Sequence, residues 1–185
     1  MKKLLLILAL LASLALGAFG CQKSEQEKMD KLREENDISL ISDEQLRDKI
    51  VAGKQAFMDI FQGIEEEELL DEFEMVYSPF TEEYNSPEKI AKKLEAHYSK
   101  EYTERLMSMI PAVEVQGRYA LPLGDMGMMP DYSSLQISGR EDIDEKSINV
   151  SYKMEEGSSE VYKVYFEYIE GEWKITDEIR EFEKE

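Results

Sequence analysis

Cysteine is almost absent from this chain: Cys21 stands alone in 185 residues. A domain built downstream of it holds no internal disulfide and no catalytic thiol, and must be held by a hydrophobic core. Histidine is equally scarce. His97 is the only one, with no cysteine or second histidine to complete a familiar metal or nucleophile cluster. No phosphate-binding loop of the Walker type and no dinucleotide fingerprint occurs. Positive charge is also in short supply: 22 basic residues face 41 acidic ones, a net charge of −19. Such a surface repels nucleic acid and other polyanions. It attracts basic partners over about one Debye length, and it also serves solubility.

What is present begins with a targeting signature. Lys2 and Lys3 precede an apolar run from Leu4 to Leu16, then small residues and Gly20-Cys21. The run is short for a membrane span and reads as an export signal over 1–20. Its end resembles a bacterial lipoprotein signal, in which the Cys21 thiol is acylated, although Ala18 stands where an aliphatic residue is usual. Two acyl chains on Cys21 would give a stable lipid anchor; ordinary secretion with a free thiol is the plainer alternative. Removing Lys2 and Lys3 makes the charge two units more negative. Residues 21–38, charged and poor in apolar side chains, read as a tether, and 39–185 as a single domain.

Within that domain the period changes once. Leu46, Ile50, Phe57, Ile60, Phe61 and Ile64 recur at three and four, predicting a helix over 39–63 capped by Ser42 or Asp43 and ended by Gly63. Ser86-Pro87-Glu88 opens a second helix and Ser99 a third, which Pro111 stops. His97, on an apolar face, reads as a packing residue. From Val113 onward the period is two. Val113–Val115 and Arg118–Leu121 predict strands broken at Gln116-Gly117; Leu135–Ser138 and Ser147–Tyr152 predict two more. Glu160–Ile175 is the most strongly patterned stretch: Tyr162, Val164, Phe166 and Tyr168 alternate, Glu170-Gly171 turns the chain, and Trp173 and Ile175 follow, a hairpin signature. Thr176–Glu185 reads as a charged tail. Helices first and strands last predict an α+β fold, N-terminal helices packed on a curved, mostly antiparallel sheet of cystatin-like or nuclear-transport-factor-like shape.

Acidic clusters give little chemistry. Glu65–Glu68 lacks the interleaved glycines and carbonyls of a calcium loop. Asp142 and Asp144 read as a loop pair facing water, and carboxylate pairs arise by chance in so acidic a chain. No metal and no cofactor is expected. The segment that departs from structural patterning is Gly124, Asp125, Met126, Gly127, Met128, Met129, Pro130, Asp131 and Tyr132. Methionines make adaptable contact surface, glycines permit close approach, and a tyrosine supplies an amphipathic anchor. Long loops of this kind in compact domains are often functional, so Gly124–Met129, Asp131 and Tyr132 are candidate partner-binding residues. An ordinary loop covering a sheet edge is the alternative.

A family resemblance joins these pieces. Ser86-Pro87-Glu88-Lys89-Ile90, Tyr98-Ser99-Lys100-Glu101-Tyr102, Arg118-Tyr119, Gly124-Asp125-Met126-Gly127 and Gly171-Glu172-Trp173-Lys174-Ile175 follow an order that resembles the secreted DL-endopeptidase inhibitors of Gram-positive bacteria, the IseA family. The resemblance covers most of Glu65 to Ile175. It implies a noncatalytic protein that binds the catalytic domain of NlpC-type cell-wall endopeptidases, enzymes with a Cys/His site, and blocks their cleft. The lipid-anchor signature and the heavier acidic charge are departures from that pattern. The implied partners are a cell-wall endopeptidase and, through the lipid, the membrane; nucleic acid is not one. Two other readings stay open: an envelope lipoprotein of nuclear-transport-factor-like fold that binds a small ligand, and a small pocket enzyme.

Overall fold

Helix α1 spans Asp43–Gln62. Ser42 Oγ accepts from the Gln45 amide at 3.2 Å, and Gln45 Oε1 accepts from the Ser42 amide at 2.8 Å. This reciprocal box satisfies two N–H groups that would otherwise be orphaned at the helix start. Gly63 ends the helix, its amide donating to Ile60 O at 3.3 Å. Glycine is needed there for space: a Cβ would lie 2.2 Å from Tyr84 Cδ2. Of the predicted apolar stripe, Leu46, Ile50 and Ile60 are fully buried. Phe57 and Phe61 are half-buried and meet edge to face with centroids 5.3 Å apart. Gly53 sits on the same face and lets Tyr98 approach, since a Cβ would stand 3.0 Å from the Tyr98 Oη and 3.3 Å from Ile175 Cδ1.

The computed structural model describes residues 41–65, 67–72, 74–124, 130–155 and 158–182. The expected signal, the tether and Cys21 lie outside these residues. Apart from the turn 144–146, the described residues belong to one unit. Among them no helix is long and apolar enough to cross a membrane.

Helix α2 (Pro87–Glu95) and helix α3 (Lys100–Met109) start as predicted, with Ser86 and Ser99 accepting from the amides of Lys89 and Tyr102. The link between them is stitched to the last strand. Ser99 N–H donates to Ile175 O at 2.9 Å and Ile175 N–H donates to His97 O at 3.0 Å. Lys174 Nζ adds bonds to Glu95 O and Ala96 O, capping the negative end of α2. His97 is half-buried with its ring at an edge to Tyr98. Burial, reinforced by the charges of Lys174 and Lys49, holds its imidazole below the usual range.

Among the described residues, eight strands form two four-stranded sheets. The first holds β1 (Leu70–Glu72), β2 (Met75–Pro79), β3 (Val113–Val115) and β4 (Arg118–Pro122) in the order β1-β2-β4-β3, all antiparallel. Gln116 and Gly117, at φ 52° and 77°, make the tight β3–β4 turn, as paired positive φ values suit the strand twist. The second sheet runs β5 (Gln136–Asp144), β6 (Ser147–Lys153), β7 (Glu160–Ile169) and β8 (Glu172–Phe182) in sequence order. Glu170 and Gly171, again both at positive φ, turn the β7–β8 hairpin. Ile148, Val150, Tyr152, Val164, Phe166, Trp173 and Ile175 from this sheet are buried; each contributes about 1.5–3 kcal/mol by leaving water. The helices pack with this curled antiparallel sheet, so the α+β expectation holds.

Three local readings change. Thr176–Phe182 continues strand β8 where a charged tail was expected. Leu70–Glu72 is a strand in a stretch where none was expected. Asp142 lies on β5, not in a loop, and pairs with Arg140 at 3.0 Å. Arg140 also donates to Ile41 O and Asp43 Oδ1, both at 2.9 Å. That guanidinium therefore ties β5 to the start of α1, pairing with the carboxylates of Asp142 and Asp43 while holding the Ile41 carbonyl of the chain leading into the helix.

Candidate functional site

Only part of the predicted partner-binding segment falls within the described residues. Asp125, Met126, Gly127, Met128 and Met129 lie outside them. The stem before them is set by Leu123, whose amide donates to Val76 O at 2.8 Å; Leu123 and Gly124 are exposed. The stem after them is a short 3-10 turn, Tyr132–Ser134. Asp131 caps it, its Oδ1 accepting from the Ser133 amide at 2.8 Å. That amide holds the exposed Asp131 carboxyl below the usual carboxylate range, so it is negative at neutral pH.

Tyr132 does not project as an outward anchor. Its ring is half-buried in a cleft of about 260 Å³ lined by Lys54, Phe57, Tyr98, Tyr102, Leu106 and Glu178 among others. Lys54 Nζ stands 5.6 Å from the Tyr132 ring centroid, within reach of a cation–π contact. The same ammonium lies 2.6 Å from Glu178 Oε1, with the two side chains 18% and 10% exposed. Tyr152 Oη donates to that carboxylate oxygen at 3.2 Å. Burial pushes the phenols of Tyr98, Tyr102, Tyr132 and Tyr152 up, and the nearby Glu178 charge adds to the effect in each. These tyrosines stay neutral and act as hydrogen-bonding aromatic walls.

Glu178 reaches the cleft because of a β-bulge. Phe166 pairs with Ile175 and Tyr165 with Asp177, leaving Thr176 as the extra residue; Thr176 Oγ1 donates to Tyr165 O at 3.2 Å. Beyond the bulge the alternation is inverted. Glu178 pairs with buried Val164, whereas Ile179 pairs with Lys163 on the outer face and is 42% exposed. A bulge that re-aims one side chain is a familiar device beside working surfaces. Sequence reasoning missed Lys54 and Glu178 altogether. No periodic signal was available: after Ile175 the apolar residues are Ile179 and Phe182, three apart.

Arg47 of α1 completes the arrangement. Its Nη2 donates to Ser133 O at 2.7 Å and its Nε to Leu135 O at 2.9 Å. Ser134 Oγ donates to Met154 O at 2.8 Å. The stem 131–135 is thus fastened from α1, from the end of β6 and through the Tyr132 ring.

Elsewhere, the surface around 65–74 is acidic and carries exposed Leu69 and Met75 beside Glu67, Glu68, Asp71 and Glu74; Glu68 is paired with Arg118. Among the described residues no group of three or more His, Cys, Asp and Glu side chains is placed to hold a metal ion.

A search among curated proteins returned no match. A family model described as IseA DL-endopeptidase inhibitor matches residues 37–178, which span α1 to α3, strands β1 to β7 and the part of β8 that ends at the cleft carboxylate Glu178. The chain belongs to the family of IseA DL-endopeptidase inhibitors.

Proposed function

We propose that this protein is held on the outer face of the cell membrane by a lipid on Cys21 and inhibits NlpC-type peptidoglycan DL-endopeptidases by occluding their active-site cleft. The segment Gly124–Tyr132, rooted at its half-buried last residue, makes the contact. It enters the peptidase cleft with Met126, Met128 and Met129 as adaptable apolar surface, while Asp125 and Asp131 meet basic groups on the rim. The protein itself performs no catalysis.

The observation that carries this reading is the family match over 37–178. The exposed, fully ionised Asp131 and the net charge of −19 support an electrostatically steered encounter. The basic and apolar residues before Gly20-Cys21 support the anchor. The cleft at Tyr132 gives a specific point against small-ligand binding there: its polar centre is already occupied by the Lys54–Glu178 pair.

Two experiments test the proposal. Titrating the purified chain against several NlpC-type catalytic domains on peptidoglycan should give stoichiometric loss of cleavage. Folded protein that protects no substrate would refute it. For the anchor, Cys21→Ser should move the protein from the membrane fraction; unchanged partitioning would remove the lipid from the account.

A further inference from the structure

We infer that Arg47 is a positioning residue for inhibition, and that Tyr132 is the root of the contact segment and not one of its partner-facing anchors. This rests on the proposed reading of Gly124–Tyr132 as the contact segment. Arg47 touches no partner. It acts by fixing where that segment rejoins the fold.

The geometry is a fork on two carbonyls. The guanidinium spans from Ser133 O to Leu135 O, 2.7 and 2.9 Å away. Those two carbonyls flank the end of the 3-10 turn, whose own backbone bond runs from the Leu135 amide to Tyr132 O at 3.2 Å. Leu135 is 1% exposed, so the fork connects a surface turn to a fixed point of the core. A planar, always-charged fork orients two acceptors at once, which a lysine ammonium on a flexible stem does not. Asp131 fixes the middle residue of the turn from the other side by accepting from Ser133 N–H.

Tyr132 adds the second hold. Its ring sits under the Lys54 ammonium, and that ammonium is held by Glu178, the carboxylate turned inward by the bulge at Thr176. The chain of contacts runs from β8 through α1 to the stem. Its consequence is preorganisation. A segment whose root is already ordered loses less freedom on meeting a rigid cleft, and the gain appears in affinity without any contact to the partner.

The test compares the wild-type full chain with Arg47→Met, Arg47→Lys and Lys174→Met. Lys174 is the control because it also ties a side chain to two backbone carbonyls, at the end of α2 and away from the stem. Two quantities are read: amide exchange at Ser133 and Leu135 against the core amides of Val164 and Phe166, and the inhibition constant against one NlpC-type domain. Arg47→Met should speed exchange at Ser133 and Leu135 with the core unchanged, and weaken inhibition about tenfold. Arg47→Lys should recover part of the loss, and Lys174→Met should inhibit like wild type. Faster stem exchange with wild-type inhibition would overturn the positioning role, as would equal loss in Lys174→Met. Unchanged exchange in Arg47→Met would overturn the clamp itself. Wild-type protein that inhibits nothing would instead sink the functional reading beneath, and the positioning role with it; the exchange data would still judge the clamp.

Discussion

Lys54→Met removes one half of the ion pair at the centre of the cleft and leaves the other half in place. Lys54 and Glu178 are 2.6 Å apart and mostly covered, at 18% and 10% exposure. Removing one partner of a fully buried pair costs about 3–5 kcal/mol, because the remaining charge is left uncompensated. Here the Tyr152 hydroxyl still donates to Glu178, and the cleft is open to water on one side, so the expected cost is about 2–3 kcal/mol. For a domain of this size that corresponds to a fall in Tm of about 5–10 °C. Urea unfolding at neutral pH gives the energy. A double-mutant cycle with Glu178→Leu isolates the pair, and its coupling should exceed about 1.5 kcal/mol. Coupling below about 0.5 kcal/mol would mean that the bulge-directed carboxylate does not hold α1 to β8, and the reasoning about the cleft would fail.

Other expectations follow from single contacts. Gly63→Ala places a Cβ 2.2 Å from the Tyr84 ring and should cost about 2–3 kcal/mol by overpacking, read as a lower urea midpoint with an unchanged slope; a neutral result would show that Tyr84 moves freely. The buried phenols of Tyr98, Tyr102, Tyr132 and Tyr152 have folded pKa values above their unfolded value of about 10. Folding therefore holds their protons more tightly, and their contribution is complete below about pH 10 and lost as pH rises above it. The phenolate absorbance of these four should accordingly appear only with alkaline unfolding; titration of these four near pH 10 in folded protein would contradict this. Asp125→Asn with Asp131→Asn should slow association with the peptidase several-fold at low salt and have little effect at high salt. An unchanged on-rate at low salt would remove the electrostatic part of the mechanism.

Much of the architecture is legible because its signals are local. Ser42, Ser86-Pro87 and Ser99 announce helix starts by their own hydrogen-bonding chemistry, and Gln116-Gly117 and Glu170-Gly171 announce hairpins by the φ values those turns require. What escapes is non-local. Residues 176–182 read as a charged tail because the bulge at Thr176 inverts the alternation, so the inward position falls on Glu178 and the outward one on Ile179. The partner that makes an inward carboxylate tolerable is Lys54, 124 residues away in sequence. Arg140 likewise makes a mostly covered Asp142 tolerable on β5 by pairing with it, and it also bonds to Ile41 and Asp43 of the α1 start. The proposed contact segment stands out by composition, but the residue that ties down its root does not: Arg47 looks like one more charge on a helix surface until its two carbonyl partners are in view.

The most direct test of the account is a titration of the purified full chain against an NlpC-type DL-endopeptidase domain, with release of cleaved peptidoglycan fragments as the readout. The account predicts that cleavage falls linearly to near zero at one inhibitor per peptidase, and that replacing Asp125–Met129 by a glycine-serine linker of the same length abolishes the effect while leaving the fold intact. Undiminished cleavage at excess inhibitor, or full inhibition by the linker variant, would contradict it.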